Sequence, residues 1–243
     1  CFAKLTRALS DDAIAVQLRH LETAPRLMNR IVARRDAIAA AVKKAAEKRY
    51  WAVVGSGPNK AAADEIRIKL SELCYRTISS DIVENKKHID LSAEPLILVC
   101  AAGNPEAVQE DIAKDVAIFK AHKSTVIVFA DEGDGRFDDT ADAVIALPRA
   151  PSPLPVIFNT MAGHLWGYFA AQAIDEEAQF LREFRGRLAA ELTQRQERRL
   201  SVFDIIADPS LGRIIAGTGG KGIQIEVAIV QVAEFRRAEA SEK

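Results

Sequence analysis

The chain has 243 residues, a net charge of −1, 49% apolar residues, 28% charged residues and 6% aromatics. Its length allows a sizeable core, and its near-neutral charge and few aromatic side chains argue against nucleic acid or an anionic membrane as partner. No apolar run approaches the roughly 18 residues of a bilayer span, and no signal-peptide pattern opens the chain. Cys1, Cys74 and Cys100 show neither a disulfide framework nor metal-ligand spacing, so a reducing, cytoplasmic setting without metal or cofactor is expected. The chain starts with Cys rather than Met, which suggests a fragment or a processed product.

Residues 10–48 read as two helices, the first capped by Ser10 with acidic residues in its first turn, the second from about 25 to 48, with Pro25 marking the break. Strand 51–55 (WAVVG) leads through the glycine loop SGPN (56–59) into a helix over about 60–75. A short strand near 76–80 and a helical turn near 82–88 follow. Strand 95–101 leads to helix 105–122, then strand 124–130, a short strand 143–147 and a helix over about 155–173. The central strands are continuous apolar runs, as expected of strands covered on both faces. Alternating strand and helix predicts a three-layer α/β fold with a parallel sheet sandwiched by helices. Ligands of such sheets bind beyond the carboxyl ends of the strands, which directs attention to loops 55–59, 101–105 and 131–135.

The expected organisation is a helical connector (1–48), an α/β domain (49–175) and a C-terminal extension (176–243). That extension reads as a charged, exposed helix over 176–200, then a glycine cluster and the apolar stretch IQIEVAIVQVAEF. GTGGKG (217–222) lacks the Walker pattern and reads as a flexible turn.

Within helix 60–75, Glu65, Lys69 and Glu72 stand at i, i+4 and i+7, so all three share one face. A lysine between two carboxylates can move protons, and His88, just past Lys86 and Lys87, is the side-chain type suited to proton transfer near neutrality. The plain alternative is an exposed ion pair on a helix and a solvated turn.

These segments resemble the second sugar-isomerase half of the glutamine–fructose-6-phosphate amidotransferases, the glucosamine-6-phosphate synthase family. That family follows its glycine loop with a helix of the type LEGALKLKEISY and a segment ending GELKHGP. Here the helix reads DEIRIKLSELCY (64–75) and the segment ENKKHID (84–90), with Tyr75 and His88 separated by the same 13 positions. Glu65, Lys69, Glu72, Tyr75, Lys87 and His88 match. LETAPRLMNRIV (21–32), VIVFADEGD (126–134) and PLPVIFNTMAGHLWGYFAAQAID (153–175) are similar to the family's connector, third strand and closing helix. The resemblance covers roughly residues 15–175.

The resemblance implies a phosphorylated hexose as ligand, a homodimer, and aldose–ketose chemistry. Glu72 is then the base that shuttles a proton between C1 and C2, Lys69 assists it, and His88 assists ring opening in the neighbouring subunit's site. Gly55, Ser56, Gly57, Asn59, Glu65 and Lys87 are the implied substrate-binding residues. The departures concern three features. CAAGNPEA (100–107) lacks the hydroxyls of a sugar-phosphate loop, no lysine can be placed as the family's tail Schiff-base lysine, and CFAKL does not resemble the start of the family's glutaminase domain. A glutaminase and a first sugar-isomerase half would lie elsewhere in a longer chain. A non-catalytic sugar-isomerase module that binds a phosphosugar for regulation or assembly is the rival. A further alternative is a nucleotide-binding oxidoreductase, from the GxGxxxA spacing of Gly55, Gly57 and Ala61 with Asp81 beyond.

Overall fold

The computed structural model describes residues 8–88 and 94–198. Cys1, Ile89 and Asp90, the GTGGKG segment and the apolar stretch after it lie outside the described residues. The chain divides into two compact units, 1–177 and 178–243.

The first unit opens with helix α1, Asp11–Val32, and helix α2, Arg35–Lys43. Ser10 caps α1 by accepting from the Ala13 amide at 3.2 Å, with Asp11 and Asp12 in the first turn. Pro25 does not break the chain as the sequence suggested. It sits inside α1, and the turn to α2 comes at Ala33 and Arg34. Proline leaves the carbonyl four residues back, that of Leu21, without its helical partner, and Leu21 lies on the exposed side of α1 at 47%.

The sheet has five parallel strands in the order β2-β1-β3-β4-β5. They are β1 Trp51–Gly55, β2 Ile78–Asp81, β3 Leu96–Cys100, β4 Thr125–Asp131 and β5 Ala143–Leu147. Between them run α3 (Asn59–Cys74), α4 (Val83–Lys86) and α5 (Glu106–Ala121). The last helix among the described residues, α6, is Leu154–Arg198. The sequence led us to expect a closing helix ending near 173 and a separate charged one. The structure has a single helix, because the change from apolar to charged residues leaves an unbroken run of good helix formers.

Register follows the apolar runs. Trp51 pairs with Leu96 and Leu96 with Thr125, and Val54 pairs with both Asp81 and Val99. Alternate strand residues face opposite sides. Trp51, Val53, Leu96, Leu98, Ile127 and Phe129 join α1, α2, α3 and α6 in one core, while Val54, Ile97, Val99, Val126 and Val128 join Val83 and α5 in the other. Helices therefore cover both faces, which is the expected three-layer architecture. Trp166 of α6 is fully buried and meets Trp51 edge-on at 5.2 Å, burial worth about 2–3 kcal/mol for each large side chain.

The helical connector is tied to the sheet's far edge by charge. Arg30 and Arg34 of α1 and the turn after it both donate to Glu132, just past β4. Burial pulls the Glu132 carboxyl up, but the two guanidiniums outweigh it and hold the pKa below the ordinary value. Lys44 donates to the Asp142 carbonyl at 2.9 Å, beside the start of β5.

Of the second unit, the described part is α6 from Ala178 to Arg198, in which Gln179 donates to Glu183 at 2.9 Å.

Candidate functional site

The loops at the carboxyl ends of β1, β3 and β4 converge. Gly55 lets the backbone fold back on itself, since a Cβ there would strike the Asn59 carbonyl, and Gly57 turns the loop at φ +57°. Asn59, 2% exposed, opens α3 and donates to the Ala102 carbonyl at 2.8 Å. Its own Oδ1 accepts from Asn159 of α6 at 3.2 Å, and Asn159 also donates to Ala102 at 3.1 Å and Pro155 at 2.8 Å. Asn59 therefore braces the loop from within. Ser56 lies beside it, half-buried. In loop 101–105 the Gly103 amide donates to the Asp131 carboxylate at 2.8 Å. Burial pushes the Asp131 carboxyl up, partly offset by that amide.

Helix α3 carries the charged row outward from these loops. Its inner face, Ala62, Ala63, Ile66, Leu70 and Cys74, is buried. On its outer face the Lys69 ammonium donates to Glu72 Oε2 at 2.7 Å, with side chains 37% and 57% exposed. The Glu72 hydrogen bond, with lesser help from the charge of Glu65, raises the Lys69 pKa above its ordinary value. Lys69 is thus a fixed cation at neutral pH. Glu65 Oε1 lies 3.4 Å from Nε2 of His164 on α6.

The remaining expected residues lie past β2. Lys87 pairs with Glu84 at 2.8 Å and with buried Asp115 of α5 at 3.1 Å. Both partners raise the Lys87 pKa, Glu84 the more, while burial raises that of Asp115. His88, with a side chain 70% exposed, lies 3.9 Å from Glu84. No hydrogen bond or ion pair joins His88 to the Lys69–Glu72 pair among the described residues.

The expected residues thus fall into three groups: Gly55, Ser56, Gly57 and Asn59 in the loop, Glu65, Lys69 and Glu72 along α3, and Lys87 with His88 after α4. Glu72 stands about 20 Å along the helix axis from Asn59, at 1.5 Å per residue. Sequence reasoning missed His164, Asn159 and Asp115, while Asp131 opens loop 131–135, to which it had pointed. For His164 a signal existed: it sits between Gly163 and Gly167, whose i, i+4 spacing marks one small-residue face of α6. Among the described residues no group of three His, Cys, Asp or Glu side chains could hold a metal ion, and no helix is long and apolar enough to cross a membrane.

No family model matches the chain. It is similar to the isomerising glutamine–fructose-6-phosphate aminotransferase of Chlorobaculum tepidum, at 27% identity over 169 residues, 68% of this chain and 27% of that protein. The chain therefore spans about a quarter of the length of that curated relative. Among solved structures, it matches the C-terminal domain of glucosamine–fructose-6-phosphate aminotransferase from Francisella tularensis, with a TM-score of 0.60 and 21% identity over 70% of this chain and 48% of that one. It also matches the sugar isomerase domain of an RpiR transcription factor from Sphaerobacter thermophilus, with a TM-score of 0.51 and 15% identity over 67% of this chain and 97% of that one. The fold is that of the sugar-isomerase domains, and the sequence resembles the glutamine–fructose-6-phosphate aminotransferases.

Proposed function

We propose that this chain is a phosphosugar-binding isomerase domain of the glucosamine-6-phosphate synthase type, acting on a phosphorylated hexose with Glu72 as base. The observation that carries this reading is the Lys69–Glu72 pair at 2.7 Å, with Glu65 on the same helix face directly after the glycine loop. Moving a proton between adjacent carbons C1 and C2 needs one carboxylate held over both, and a neighbouring cation to steady the enediolate oxygen. Glu72 supplies the first and Lys69 the second. His88, exposed on its turn, is free to serve a ring oxygen in an adjoining unit.

The row faces outward, so the pocket closes only against a second sugar-isomerase unit. A twin copy or a first half in a longer chain fits that requirement, and the match to a quarter of a longer relative favours such a context. Conversion of fructose 6-phosphate toward glucosamine 6-phosphate would then draw ammonia from a glutaminase outside this chain.

One observation favours the rival reading, a module that binds a phosphosugar for regulation or assembly. The Gly103 amide is taken by the chain's own Asp131 carboxylate, so loop 100–107 offers that donor to no outside anion. The two readings part on titration calorimetry and turnover with fructose 6-phosphate. Binding by wild type and by Glu72→Gln, with turnover in wild type alone, supports the enzyme. Binding by both without turnover, even with a first half supplied, supports the module. Absence of binding refutes both.

A further inference from the structure

His164 lies on the turn of α6 that packs most closely on α3. A Cβ at Gly163 would strike the Ile66 side chain, and one at Gly167 would come within 2.7 Å of Leu70. The Cys74 thiol also reaches the Gly167 carbonyl at 3.8 Å. This contact fixes His164 against the α3 turn that bears Glu65. Its Nε2 is closed to solvent and makes no hydrogen bond among the described residues, yet stands 3.4 Å from Glu65 Oε1. A ring nitrogen cut off from water needs a partner, and a small rotation of either side chain provides one. The charged group facing His164 is Glu65 of α3, which precedes Lys69 and Glu72 along that helix; one turn on in its own helix, the Tyr168 hydroxyl accepts from Gln172 at 3.1 Å. Two pairs therefore stand at the α3 surface, His164 with Glu65 and Lys69 with Glu72.

We infer that His164 is a positioning residue of the site: its Nε2–H donates to Glu65 and holds that carboxylate toward α6, leaving Lys69 to Glu72. Lys69 is four residues from Glu65 and three from Glu72, so without His164 the two carboxylates compete for it. The inference rests on the reading of the α3 face as the sugar site and adds the group that fixes its binding carboxylate.

The first test is NMR of the histidine ring nitrogens of the full chain at neutral pH, with His20, His88, His122 and His164 assigned by single substitution. The His164 Nε2 is expected to carry the ring proton in wild type, and its signal to move in Glu65→Gln while the other three rings keep theirs. A His164 ring protonated only at Nδ1, or one unmoved by Glu65→Gln, overturns the pairing. The second test is affinity for glucosamine 6-phosphate. His164→Leu is expected to weaken it about tenfold, and His164→Gln, whose amide can donate at similar reach, no more than about threefold. Equal losses in both variants overturn the inference, because they mark a packing role. A wild-type chain that binds no sugar phosphate refutes the reading of the face, and the ring-nitrogen spectra still decide the pairing by themselves.

Discussion

The Lys87 ammonium donates to Asp115 at 3.1 Å and so fastens α4 to α5, one residue before His88. Asp115 is 4% exposed, whereas the Lys87 side chain keeps some access to water and a second partner in Glu84. Lys87 thus straps the turn that carries His88. Asp115→Ala is expected to lower the unfolding free energy by about 1–2 kcal/mol, since the freed lysine can turn to Glu84 and water. Urea denaturation measures it, and hydrogen exchange should show faster opening at 83–88.

Tyr75 closes α3 in the left-handed region, at φ 50°, with 91% of its surface exposed. A tyrosine there carries strain that no packing contact repays, and glycine adopts the same conformation freely. Tyr75→Gly is expected to raise stability by about 0.5–1 kcal/mol, after allowing for glycine's larger unfolded-state entropy. Thermal unfolding checks the sign. A loss of sugar-phosphate affinity in the same variant would mean that the ring itself serves the site.

Asp131 yields a pH signature. Burial raises its folded pKa above the unfolded value, so the native state holds this proton to higher pH than the unfolded chain does. Its contribution to stability is therefore greatest below the unfolded pKa and declines as pH rises through the folded one. Asp131→Asn keeps an oxygen for the Gly103 amide and removes the charge. The stability of the variant relative to wild type should be more favourable at pH 7 than at pH 3, as read by denaturant unfolding at both. The opposite trend would mean that Arg149 and Arg136, which also act on Asp131, outweigh its burial.

The sheet was legible because four of its strands are apolar runs bounded by glycine, proline or polar turns, and the i, i+4, i+7 spacing placed Glu65, Lys69 and Glu72 on one face before any coordinates. Pro25 was misread because proline tells of a lost donor but not of whether the orphaned carbonyl meets water. The end of the closing helix near 173 was misread because a change in polarity is not a change in helix propensity. Contacts that join distant segments had no local sign. Glu132 meets Arg34 across 98 residues and Asn159 meets Asn59 across 100, and only the fold brings them together. His164 drew no notice in the sequence, because the close approach of α6 to α3 at Gly163 sets it against Glu65 only in the fold.

The most direct measurement is proton exchange at carbon. Fructose 6-phosphate incubated with the chain in deuterated water, alongside a first sugar-isomerase half, is followed by NMR at C1 and C2. The account predicts deuterium entering at C1 in wild type, and a fall of at least about 100-fold in Glu72→Gln, the range expected for loss of a general base. Undiminished exchange in Glu72→Gln, with the sugar still bound, would contradict it.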